Sequence, residues 1–279
     1  MRSLLKIIVT LAFSILASHL GFAASKPRAQ QVYKNAGGRE LALHIDAPDD
    51  WNPTDKRPAI VFFFGGGWRA GTPNQFKAQA EYFAKRGLVC LRADYRVRSK
   101  DQVLPDKCVE DAISAMRWVR ANAARLGIDP DRIVAAGGSA GGHLAACTFF
   151  VDDISTKSDD KKISPKPNAM ILYNPVVDLV ACQETNDRTL VEGLDASVMK
   201  RISPSYLLTK DMPPTLVIDG TADRFYKQIS AFVDKSKALG APVEVSYVEG
   251  QPHGFFNKPQ WKEKTTETAA DFLKRLGYL

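Results

Sequence analysis

The chain has 279 residues, 45% of them hydrophobic and 25% charged, with a net charge of +7 and four cysteines. These are ordinary values for a soluble globular protein. The excess positive charge is dispersed, as at Lys161-Lys162 and Lys262/Lys264, without interleaved aromatic residues, which argues against a nucleic-acid footprint. No two cysteines have C-x-x-C spacing, which argues against a zinc or redox motif.

The first 23 residues read as a secretory leader. Arg2 and Lys6 form a positive start, residues 7–20 a short apolar run, and Gly21-Phe22-Ala23 a small-residue cleavage box, with cleavage expected after Ala23 or Ala24. The apolar run is short and interrupted by Ser14, Ser18 and His19, so a leader fits better than a permanent membrane anchor. No cysteine follows the box, which disfavours lipoprotein processing. The expectation is a secreted or periplasmic protein with residues 24–279 as one domain and no stable membrane insertion.

From there the chain alternates strand-length and helix-length runs. Strands are predicted at residues 41–45, 59–64, 88–94, 133–136, 169–173, 215–219 and 243–248, and helices at 75–85, 107–124, 140–150, 227–239 and 265–276. The central strands are apolar without alternation, as expected where helices cover both faces, so the fold class is α/β with a mostly parallel sheet. Residues 41–45 alternate more and fit an antiparallel edge hairpin. The polar stretch 152–166 reads as a surface loop. Cys90 lies in a strand run and Cys147 on an apolar helix, both fitting buried free thiols; Cys182 lies in a loop, where export would permit a disulfide.

Gly137-Gly138-Ser139-Ala140-Gly141-Gly142 stands between the strand ending at Ala136 and an apolar helix. A serine on a strand-to-helix turn, with glycines two before and two after, is the pattern of a nucleophile elbow. The turn is sharp enough that side chains at the glycines would strike neighbouring backbone.

Serine needs a base to take its proton and a third group to orient that base. Of four histidines, His19 leaves with the leader, His44 lies in the edge region, and His143 sits one turn beyond Ser139 on the same helix, where its ring would point away along the helix side. His253, in a loop directly after the strand 243–248, is left as the base. The acid should fall between serine and histidine in chain order. Asp223 follows the strand 215–219 in a G-x-x-D loop, Asp178 competes with it, and Asp219 reads as a turn cap. The run Phe62-Phe63-Phe64-Gly65-Gly66-Gly67-Trp68 ends a strand in three glycines. The amides of Gly66 and Gly67, with that of Ala140, could cradle an oxyanion. A phosphate cradle is disfavoured because no G-K-[ST] follows. Trp68 is a candidate pocket wall and equally a core tryptophan.

With these pieces in place, the chain resembles the α/β-hydrolase superfamily, and within it the esterase group akin to hormone-sensitive lipase and to bacterial acetyl xylan and feruloyl esterases. The stretches FFFGGGW (62–68), Asp94-Tyr95-Arg96, RWVRANAARLGIDPDRI (117–133), GGSAGGHLAA (137–146), DGTAD (219–223) and EGQPHGFF (249–256) carry the resemblance in family order. It implies Ser139, Asp223 and His253 as catalytic triad, Gly66, Gly67 and Ala140 as oxyanion donors, and no metal or organic cofactor. Two departures stand out: Phe64 replaces the usual histidine before the glycines, and Asp219 stands where the family often has histidine. An Asp94–Arg96 pair is expected to buttress the elbow.

The implied activity is hydrolysis of short-chain carboxylic esters, acetyl groups on carbohydrates or polysaccharides foremost. The only sizeable insertion near the site, residues 180–201, is largely polar, unlike the cover of a long-chain lipase. Two rivals remain: a serine exopeptidase of the prolyl-oligopeptidase type, against which the chain has no second propeller-sized domain, and a non-catalytic carbohydrate-binding protein on a hydrolase fold.

Overall fold

Consecutive side chains of a strand point to opposite faces, and here both faces are apolar, so the strands settle between two helical layers. In β3 (Arg57–Phe63), Ala59, Val61 and Phe63 enter one core while Ile60 and Phe62 enter the other. In β6 (Ala169–Tyr173), Met170 and Leu172 likewise oppose Ala169, Ile171 and Tyr173. The structure is a computed structural model describing residues 29–279 other than Asn186. The leader expected over residues 1–23 lies outside the described residues.

The other strands are β1 (Gln30–Ala36), β2 (Arg39–Asp46), β4 (Val89–Ala93), β5 (Ile128–Gly138), β7 (Thr215–Gly220) and β8 (Val243–Val248). They form one eight-stranded sheet in the order β1-β2-β4-β3-β5-β6-β7-β8. β1 and β2 form an antiparallel hairpin, β2 pairs antiparallel with β4, and every other pairing is parallel. The hairpin at 41–45 thus takes its expected place at the sheet edge, with β1 as a partner that the sequence reading did not mark.

Of the helices, α1 (Lys77–Ala84) and α8 (Pro259–Arg275) cover the Ile60/Phe62 face. The opposite face carries α3 (Pro105–Ala121), α4 (Ala140–Phe150) and α7 (Tyr226–Ala238). Short helices α2 (Arg98–Asp101), α5 (Leu179–Gln183) and α6 (Ala196–Arg201) fill the connections. α8 begins six residues before the predicted 265, because Pro259 opens its first turn and the apolar pattern starts only later. All four cysteines are buried free thiols, so the disulfide left open above is not formed. Cys182 lies on α5 rather than in a loop.

The carboxyl ends of β3, β5, β7 and β8 deliver the glycine loop, Ser139, Asp223 and His253 to one edge of the sheet, as parallel α/β sheets do.

Candidate active site

The elbow is built by close approach. A Cβ on Gly141 would collide with the Phe63 carbonyl, and one on Gly138 with the ring of Phe256. With the glycines flattened against their neighbours, Ser139 carries the turn itself, at φ 55°, ψ −120°, a costly conformation for a residue with a side chain. It is held by its own backbone: the amide donates to the Tyr173 carbonyl at 2.9 Å, and its carbonyl accepts from His143 at 3.0 Å.

The structure brings Ser139, His253 and Asp223 together across 114 residues of chain. His253 Nε2 stands 2.8 Å from Ser139 Oγ, and His253 Nδ1 stands 2.7 Å from Asp223 Oδ2. Beside a carboxylate Nδ1 is the protonated nitrogen and donates, which leaves Nε2 to accept from the serine hydroxyl. Asp223 Oδ1 accepts from the Phe225 amide at 2.8 Å, and the Phe225 ring packs edge-on to His253. The Asp223 side chain is fully buried, whereas 19% of His253 remains exposed. Asn174, at φ 34°, sets its amide nitrogen 3.4 Å from His253 Nδ1. Asp178, the competing acid, instead caps α5 by accepting from the Ala181 amide at 3.0 Å.

The glycine loop lies back to back with the elbow: a Cβ on Gly65 would stand 2.7 Å from the Gly138 carbonyl. The Gly65 amide donates to Gln75 Oε1 at 2.6 Å and so braces the loop. Among the described residues, the Gly66 and Gly67 amides have no acceptor. Gly66 holds φ 130°, and a Cβ there would collide with the Ala70 carbonyl, so glycine is required. The Ala140 amide opens α4, where the first turn has no intrahelical acceptors. The bracing that histidine commonly gives this loop comes from two residues. Phe64 stacks on Tyr95 with ring centroids 4.0 Å apart, and Tyr95 Oη donates to the Phe64 carbonyl at 2.6 Å.

Four expectations need correction. Asp94 and Arg96 do not pair: Asp94 accepts from Arg39 of β2 at 2.6 Å, while Arg96 turns to Asp111 and Glu110 of α3, each at 2.8 Å. The chain has left the sheet after Asp94, so the two side chains meet different elements. Trp68 goes into the core, 1% exposed and edge-on to His143, instead of forming an open wall. His143 does not lie along the outside of α4. It is fully buried, its Nε2–H donates to the Ile202 carbonyl at 2.6 Å, and burial pushes its pKa down to about 4. Asp219 caps no turn: it is fully buried and neither oxygen has a donor at hydrogen-bond geometry. Burial, then the neighbouring Asp223 charge, pushes its pKa up to about 8.

Gln75, Asn174 and Leu190 escaped sequence reasoning. Leu190 belongs to the 180–201 insertion, and its Cδ2 fills the space where a Gly67 Cβ would stand, so the insertion packs on the glycine loop. Its ion pairs, Glu192 with Arg98 and Asp187 with Arg224, tie it to both sides of the site. Among the described residues, no group of three or more His, Cys, Asp or Glu could hold a metal ion.

The model of the BD-FAE family matches residues 45–235. An esterase from the planctomycete Thermogutta terrifontis, Est2, solved with propionate bound, is 46% identical, with a TM-score of 0.84 covering 90% of this chain and 94% of that one. Esterase LipC of Mycobacterium tuberculosis is 30% identical over 78% of this chain and 60% of its own length. Carboxylesterase NlhH of the same species is 27% identical over 74% of this chain and 70% of its own. The chain spans only 50–60% of the length of several curated relatives it matches.

Proposed function

Starting from the fact that this chain belongs to the BD-FAE family of α/β-hydrolase esterases, we propose that it is a serine carboxylesterase acting on short-chain esters through Ser139, His253 and Asp223. The observation that carries this reading is the continuous relay from buried carboxylate to imidazole to a strained serine hydroxyl, with every link at 2.7–2.8 Å.

Ser139 Oγ attacks the ester carbonyl while His253 Nε2 takes its proton. Asp223 keeps the imidazole in the right tautomer and stabilises the imidazolium. The carbonyl oxygen, now an anion, rests on the Gly66, Gly67 and Ala140 amides, each such donor worth about 3 kcal/mol of barrier. His253 returns the proton to the leaving alcohol, then activates water, which releases the acid and restores Ser139.

Two observations favour a short acyl group. Leu190 stands against Gly67 at the oxyanion loop, and the similar Est2 binds propionate. We take acetyl esters of carbohydrates or polysaccharides as the natural substrates on the resemblance noted above, and export on residues 1–23 of the sequence alone.

The test is hydrolysis of p-nitrophenyl esters from acetate to laurate, beside Ser139→Ala. Turnover that is fastest for acetate or propionate and vanishes in Ser139→Ala is expected. Turnover surviving in Ser139→Ala would sink the triad. Inactivity on every ester would favour the exopeptidase, if prolyl peptides are cleaved, or else the carbohydrate-binding protein.

A further inference from the structure

Asp219 is the last but one residue of β7, four residues before Asp223. The Asp223 amide donates to the Gly220 carbonyl at 2.9 Å, so the turn brings the two carboxyl groups into contact. Asp223 already accepts from His253 and from Phe225. Asp219 is fully buried without a donor at hydrogen-bond geometry; the Gly220 amide lies close but does not reach it.

Among the described residues, the groups around Asp219 supply no permanent cation. Tyr247 faces it from β8, and Tyr226 and Asp234 of α7 act on that tyrosine. Beyond Asp223 lies His253, with Asn174 from the end of β6 beside the imidazole. Two carboxylates in contact in a buried turn cannot both stay ionised; one keeps a proton.

We propose that Asp219 is a positioning residue acting as a neutral acid, donating its carboxyl proton in a hydrogen bond to Asp223 and leaving the relay a single negative charge. This rests on the Ser139–His253–Asp223 reading. The bond uses a lone pair that His253 and Phe225 leave open on Asp223 and holds that carboxylate against the imidazole. Loss of the Asp219 proton turns the bond into a repulsion between two anions. The competent form therefore has Asp219 protonated, and the pH profile of kcat/KM has an alkaline limb belonging to the carboxyl pair.

The experiment uses the full chain with two readouts. The first is the infrared difference spectrum between wild type and Asp219→Asn near neutral pH. The second is the pH profile of kcat/KM on p-nitrophenyl acetate for wild type, Asp219→Asn and Asp219→Ala. A carbonyl band of a protonated carboxyl is expected in the wild type. The alkaline limb should vanish in Asp219→Asn, which keeps a neutral donor. Asp219→Ala should lose on the order of tenfold in kcat/KM, as for one hydrogen bond to a charged group, with asparagine recovering most of it. The proposal falls if the band is absent, if the alkaline limb persists in Asp219→Asn, or if both variants lose equally with the wild-type profile unchanged. Turnover surviving in Ser139→Ala would instead remove the triad, and the infrared band would still report the Asp219 proton.

Discussion

Phe64 and Tyr95 hold each other twice, ring on ring at 4.0 Å and hydroxyl to carbonyl at 2.6 Å. Both are buried, and the pair fixes the backbone that leads into the glycine loop. Tyr95→Phe keeps the stack but leaves the Phe64 carbonyl without its donor, a cost of about 1–3 kcal/mol. Thermal unfolding should register that loss, and kcat should fall more than KM rises, because in the proposed mechanism the amides serve the transition state. An unchanged kcat would mean that the loop holds its shape without Tyr95.

Gly138→Ala should destabilise by about 1–3 kcal/mol, as overpacking does, since its methyl group meets the Phe256 ring. Combining it with Phe256→Leu should restore part of the melting temperature. Failure of the second change to help would place the strain in the backbone instead of against the ring.

His143 makes stability fall with acid. Its pKa is pushed from 6.5 down to about 4 in the folded chain by burial, so the unfolded chain takes up the proton first. Its contribution is complete above 6.5 and is lost as pH falls toward 4. Urea midpoints measured across that window should drop in the wild type and drop less in His143→Gln.

Asp219 has the opposite sign. Its folded-state pKa is raised to about 8, so its contribution is complete below the ordinary carboxylate range and is lost as pH rises toward 8. Melting temperatures of wild type and Asp219→Asn should therefore diverge with rising pH, the wild type falling.

Asp111 is fully buried and accepts from Lys34 at 2.6 Å and from Arg96 at 2.8 Å. It ties β1 and the loop after β4 to α3. Asp111→Ala leaves Lys34 and Arg96 sharing Glu110 alone and should cost about 3 kcal/mol, the low end for a broken buried pair, read as a lower denaturant midpoint.

Leu190→Ala should widen the space above Gly67. The ratio of kcat/KM for butyrate over acetate should rise on the order of tenfold, within what a missing methylene-sized contact is worth. An unchanged ratio would remove Leu190 from acyl selection.

Most elements and the three site residues were legible in the sequence because their signals are local. Apolar runs mark buried strands, paired glycines mark a turn too tight for side chains, and few histidines allow elimination. β1 was not legible, since Gln30–Ala36 is half exposed and gains its order from pairing with β2. Nor were the short helices α5 and α6, which send only Leu179, Cys182 and Met199 into the main core, too few to show a helical period.

By itself, then, the sequence determined the alternation of strand and helix, the glycine-flanked turn at Ser139, and the chain order of the serine, aspartate and histidine that the fold brings together. Only the tertiary structure decided what each polar side chain meets. Arg96 turned to Asp111 rather than Asp94, Tyr95 took over the bracing of a glycine loop that has no histidine, Trp68 went inward, and Asp219 came to rest against Asp223. The physical reason is range. Backbone propensity and hydrophobic periodicity act over a few residues, whereas a buried charge or hydrogen bond depends on which distant segment the fold brings to its side.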